Sequence, residues 1–155
     1  FLRIIVSGSY SMYKTIKTSG KPIAQKRHRH HKFGTYDPSA KDKKITRIEI
    51  RQQFSNMIIS DAVRLEFEFV CPRPKAHYGT GRNSGKLKKS APSLNVKKSD
   101  IDNYVKFYMD CMNKMCYIDD SQVVYLNAKK RYTKENETAH TIIFISNEIM
   151  RNYGL

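Results

Sequence analysis

Between positions 62 and 70 the chain alternates, with Val63, Leu65, Phe67 and Phe69 apolar and Arg64, Glu66 and Glu68 charged. That is the period of two that a half-buried β-strand imposes, and Pro72 and Pro74, lacking the N–H a ladder needs, close it. Ahead of it, Ile50, Phe54, Met57 and Ile58 fall at i, i+4, i+7 and i+8. This spacing predicts a helix over 40–59 with that face in the core and Ser39 as its N-cap. A second helix is predicted over 101–116, where Ile101, Val105, Tyr108, Met109, Met112 and Cys116 share one side. Strands follow over 122–132 and 138–146, separated by the polar turn KENE and expected to pair as a hairpin. Two shorter β-like stretches, 1–6 and 13–18, begin the chain. These elements predict an α+β fold in which a small mixed β-sheet is packed by two main helices, a single domain over 1–155.

The connections are unusually basic. Residues 71–99 carry Arg73, Lys75, Arg82, Lys86, Lys88, Lys89, Lys97 and Lys98 with no acidic residue, and are interrupted by Gly79, Gly81 and Gly85. So long a loop in a small domain is either functional or unordered until a ligand arrives. Its glycines do not make a phosphate-binding loop, since the spacing from Gly81 is wrong and Leu87 stands where a hydroxyl residue is needed. Residues 21–38 have little apolar periodicity and read as an exposed loop around Lys26, Arg27, Arg29 and Lys32.

The whole chain, 155 residues with 29 Lys+Arg against 14 Asp+Glu, has a formal charge of +15. With 39% hydrophobic residues it can still fill a core. The charge excess points to nucleic acid as partner, through attraction and counterion release, against the plainer reading of a solvated basic surface. No apolar run approaches the ~20 residues of a membrane span and no signal-peptide pattern opens the chain, so a soluble, intracellular, non-membrane protein is expected. Cys71, Cys111 and Cys116 lack a zinc-site pattern and fit free thiols in a reducing compartment.

Five of the 14 acidic residues lie between Asp100 and Asp120. Asp102, Lys106 and Asp110, at i, i+4 and i+8, form a strip along the second helix. Asp119 and Asp120 open the next strand and would reach the same end of that helix if the two elements are antiparallel neighbours. Three or four gathered carboxylates repel unless a cation intervenes, and with no nearby His the oxygen donors favour Mg²⁺, with Mn²⁺ possible, over zinc. Next to a phosphate-attracting surface, that suggests metal-assisted phosphodiester cleavage. A structural reading stands beside it: Ser99–Asp102 matches a capping box and Asp119–Asp120 a simple turn, which would leave a non-catalytic basic nucleic-acid-binding protein. Lys26, Arg27, Arg29, Arg73, Lys75 and Lys86 are the candidate DNA contacts. His28, His30 and His31, interleaved with cations, suit the same role better than metal ligation.

The segment K97-K-S-D100-I-D102-N103-Y-V-K106-F-Y-M-D110, followed by Y117-I-D119-D120-S-Q122, resembles the RusA family of Holliday-junction resolvases, whose signature is D-x-D-N-x-x-K and then D-D-x-Q. S19-G-K-P-I-A-Q-K26-R27-H-R29 is similar to that family's N-terminal basic segment, and the loop from Pro72 to Pro92 to one found in phage and viral members. The resemblance covers most of 19–126. It implies a homodimeric, Mg²⁺-dependent endonuclease that cuts four-way DNA junctions by symmetric paired nicks. It implies Asp100, Asp102 and Asp120 as essential metal-binding carboxylates, Asp119 as a helper and Lys106 at the scissile phosphate; Asp110 matches a family position too, but its i+4 spacing from Lys106 equally fits a pair, and it is read as structural. Nucleases of other branched DNA, such as flaps or forks, share the chemistry. Ser99, where many members have Pro, and residues 1–15 depart from the pattern.

Overall fold

The computed structural model describes residues 12–32, 34–54 and 58–147, together with the backbone of two short strands ahead of them, β1 (Ile5–Val6) and β2 (Ser9–Tyr10). The rest of the strand expected over 1–6 lies outside the described residues. The stretch at 13–18 forms as β3 (Tyr13–Ser19). The chain continues through β4 (Arg29–His31), β5 (Gly34–Tyr36), α1 (Ala40–Gln53), β6 (Val63–Cys71), α2 (Ile101–Met112), β7 (Val123–Tyr132) and β8 (His140–Ser146). The fold is α+β, with a mixed four-stranded sheet and two helices.

The sheet order is β3-β8-β6-β7, with β6 and β7 parallel and the other neighbours antiparallel. The expected β7–β8 hairpin is therefore not formed, because β6 lies between them. β6 is largely buried, and an internal position pairs both of its edges: Phe67 stands opposite Ala128 on one side and Ile143 on the other. Parallel neighbours need a long crossover, which the passage through α2 supplies, and residues 133–139 then carry the chain past the end of β6.

Both helices pack on one face of the sheet. Leu65, Phe67, Phe69, Ile16, Ile143 and Ile145 meet Ile50 of α1 and Tyr104, Phe107, Tyr108, Cys111 and Met112 of α2 in one core. The Phe69 ring lies 5.0 Å from Tyr104 and 5.7 Å from Tyr108. More of α2 is buried than its apolar stripe predicts because the helix touches both the sheet and α1. Arg47 of α1 closes its C-terminus, donating from Nη1 to the carbonyls of Cys111 (2.9 Å) and Asn113 (3.2 Å), where the helix dipole favours a cation.

α1 stops at Gln53, short of the expected 59, where Phe54 turns to extended backbone at φ −98° and ψ 125°. Ile58 is then half exposed, not core, and Ile59 takes its place by pairing with Tyr117; Met57 lies outside the described residues. Ser39 holds the N-cap position without capping, its Oγ accepting instead from the Lys26 N–H at 3.0 Å. α2 ends at Met112, yet Cys116 beyond it stays buried. All three cysteines are buried free thiols, and burial pushes Cys111 and Cys116 up to about 12.

The basic segment after β6 is a folded excursion. Tyr78 pairs with Leu87, the Gly79 N–H donates to the Lys86 carbonyl at 2.9 Å, and the Lys88 N–H to that of His77 at 3.0 Å. Within the other exposed segment, β4 and β5 form a two-stranded ribbon. Among the described residues no helix is long and apolar enough to cross a membrane.

Candidate active site

The i, i+4, i+8 strip of α2 faces a groove of about 550 Å³ between that helix and β7. Asp102, Lys106 and Asp110 line one wall, Leu126 and Ala128 of β7 the other, and Asp120 stands between them ahead of the strand. From Asp102 to Asp110 is about 12 Å along the helix axis, with Lys106 midway.

Asp120 neighbours Asp110, not the first turn of α2. After α2 the chain turns back under Tyr117, whose hydroxyl donates to the Met109 carbonyl at 3.2 Å and lies within reach of Asp120. The expectation that Asp119 and Asp120 join Asp100 and Asp102 at one helix end is corrected accordingly. Among the described residues no three His, Cys, Asp or Glu side chains form a metal-binding group. Burial raises the Asp120 carboxyl above the usual range, Tyr117 counteracts this, and the charges of Asp110 and Asp119 add to it. Its Oδ1 is buried without a hydrogen-bond partner.

Asp110 does not pair with Lys106. Lys43 of α1 lies 2.8 Å from it and 2.7 Å from Asp37, and this ammonium is raised: burial works against it, but hydrogen bonds to both carboxylates prevail. No local pattern marks Lys43 as a partner, because contact with α2 arises only when the helices pack.

Asp119 turns out of the groove to cap the short 3₁₀ turn Asp120–Gln122, accepting the Ser121 N–H at 2.9 Å; hydrogen bonds from the Ser121 side chain and then its backbone hold this carboxyl below the ordinary range. Gln122 completes this capping box. Its Oε1 accepts from the N–H groups of Ile118 (2.7 Å) and Asp119 (2.9 Å), and its Nε2 donates to the carbonyls of Ile59 (3.1 Å) and Asp61 (2.8 Å). All four hydrogen-bonding directions of the amide are used, so the turn carrying Asp120 is tied to the chain entering β6. At the other end Asp100 is the N-cap of α2, exposed, with no side-chain capping bond. The capping box expected from Ser99 to Asp102 is absent.

Of the candidate DNA contacts, Arg27, Arg29, Lys75 and Lys86 are exposed, Arg29 on β4 and Lys86 on the folded excursion. Lys26 is exposed and sits 3.4 Å from Asp42. Arg73 is committed internally: Nε donates to the Thr133 carbonyl (2.6 Å) and Nη1 to that of Pro92 (2.7 Å), with the guanidinium over the Tyr132 ring. It anchors the basic excursion to the end of β7.

An acidic groove holding one lysine, on an α+β domain with basic projections, is the equipment of a nuclease. The chain belongs to the RusA endodeoxyribonuclease family, whose model, described as endodeoxyribonuclease RusA, matches residues 19–145. It is also 32% identical over 122 residues to the uncharacterized protein YqaN of Bacillus subtilis (strain 168), a match covering 75% of this chain and 85% of that protein. The family consists of endonucleases that bind branched DNA and resolve Holliday junctions, generally with a divalent metal. Asp120 suits such a cation in one respect: its buried Oδ1 has no partner, and it lies beside the Asp110 carboxylate that Lys43 already holds.

Proposed function

We propose that this chain is a Mg²⁺-dependent endodeoxyribonuclease that resolves four-way DNA junctions by symmetric paired nicks, acting as a homodimer. The observation that carries the reading is the convergence of Asp102, Lys106 and Asp120, from separate motif pieces, on one groove. Asp102 and Asp120 face that groove from opposite ends, Asp120 with Asp110 beside it, and are the carboxylates through which we assign divalent metal to the groove. Asp100, at the start of the same helix, is a further donor, and Asp119 serves by holding the turn. Mg²⁺ or Mn²⁺ bound there would lower the pKa of a water and offset phosphate charge. Lys106 would stabilise the charge that develops on the phosphate. Arg27, Arg29, Lys75 and Lys86, with Lys26, would hold the DNA arms by their phosphates, while Arg73 shapes the projection that presents two of them. Two opposed strands at a two-fold junction call for two copies of the site.

The test is cleavage of a labelled four-way junction beside a matched linear duplex, with and without Mg²⁺. Symmetric metal-dependent nicks in the junction, reduced about 100-fold or more by Asp102→Asn or Asp120→Asn, are expected. Tight binding without any cut, or full cutting by either variant, would overturn the reading.

A further inference from the structure

Lys130 belongs to none of the motifs above. It lies on β7 opposite Phe69, and its ammonium is 2.8 Å from the Lys97 carbonyl oxygen and 2.7 Å from that of Ser99. Among the described lysines only Lys43 and Lys130 are half-buried; the others are exposed. Lys43 has two carboxylates to offset its desolvation, whereas Lys130 has two backbone carbonyls, a pair of charge-assisted hydrogen bonds to a segment with no ladder of its own. That segment runs along β7: Leu94 pairs with Arg131, and the Tyr132 N–H donates to the Ser93 carbonyl at 2.8 Å. Lys130 extends the attachment to Ser99, the residue before Asp100. A further tie at this end of α2 runs from the Gln25 N–H to the Asn103 carbonyl at 2.8 Å.

We propose that Lys130 is a positioning residue of the groove. By holding the two carbonyls that lead into α2, it sets the direction in which the helix leaves β7 and hence where Asp102 and Lys106 stand relative to Asp120. This rests on the nuclease reading. A small displacement of a reacting group costs rate more than affinity, so the effect belongs in kcat.

The test uses the full chain with Lys130→Met and Lys130→Arg, measuring junction affinity against salt, kcat for junction cleavage, and amide hydrogen exchange. Lys130→Met is expected to lower kcat about 10-fold or more, to leave the junction Kd and its salt slope unchanged, and to speed exchange at residues 97–103. Lys130→Arg keeps a charge and donors for both carbonyls and is expected to restore most of kcat, which keeps the proposal open to failure even where the Met variant is unstable. A weaker Kd with a salt slope reduced by about 1 and unchanged kcat would make Lys130 a phosphate contact and overturn the proposal. Unchanged kcat and exchange would overturn it equally. If the unsubstituted protein cuts nothing, the nuclease reading fails, while the exchange comparison still shows whether Lys130 holds this segment.

Discussion

The Arg131 guanidinium meets Glu137 through two bonds, Nη1 to Oε2 at 2.6 Å and Nη2 to Oε1 at 2.9 Å, while its Nε reaches Glu68 at 2.6 Å. The contact joins β7, β6 and the turn that leads to β8. Arg131 holds the Glu137 carboxyl down to about 2, from an ordinary 4.5. Because the folded value lies below the unfolded one, the stabilisation is complete above about pH 4.5 and is lost as pH falls toward 2. Solvent at the pair discounts it to roughly 1 kcal/mol. Chemical denaturation of Glu137→Gln and the unsubstituted protein should differ by that amount at pH 7 and converge near pH 2; a constant gap across this range would refute the assignment.

Lys43 neutralises Asp37 and Asp110 together. Lys43→Met is expected to destabilise the fold by about 1–2 kcal/mol, since two half-buried carboxylates lose their counter-charge. Adding Asp110→Asn should recover part of the loss. A double variant no more stable than Lys43→Met would show that the two residues are not coupled.

Gln122 uses both ends of its amide, so neither an apolar nor an acidic replacement reproduces it. Gln122→Leu should cost about 2 kcal/mol and lower junction cleavage with it, as the turn under Asp120 loosens. Gln122→Glu keeps the acceptor but sets a carboxylate against the carbonyls of Ile59 and Asp61, so its deficit should shrink as pH falls and the new acid takes up a proton. A deficit independent of pH would contradict this account.

Gly79 has a backbone reason for its identity: an added Cβ would lie 2.5 Å from the Asn83 carbonyl oxygen, inside contact distance. Gly79→Ala should open the basic excursion to limited proteolysis while moving the thermal midpoint little, because the excursion contributes little to the core. Unchanged cleavage would mean that the loop absorbs the clash.

Much of the architecture was legible in local pattern. Alternation in β6 and the apolar spacing of α2 located both elements within a few residues, and the i, i+4, i+8 strip put Asp102, Lys106 and Asp110 on one face before any packing was known. Beyond the end of α1 and the two N-caps, what failed were statements about pairs of elements. β7 and β8 are consecutive strands with a short polar turn between them, and proximity in sequence favours a hairpin. β6, buried along most of its length and paired on both edges, nevertheless lies between them. Asp119 and Asp120 are adjacent in sequence but divide their work, one capping a turn and the other facing the groove, a distinction set by backbone direction and not by residue type.

The sequence by itself determined that this is a basic α+β domain with a nuclease motif set, since charge, periodicity and motif spacing are properties of the chain alone. Only the tertiary structure decided that Asp120 stands beside Asp110, that Lys43 and not Lys106 neutralises Asp110, that Arg73 anchors a loop, and that Lys130 secures the lead-in to α2. Each of these depends on groups many residues apart being brought within hydrogen-bonding distance. Local propensity does not encode such contacts; the packing of helices and strands around one core creates them.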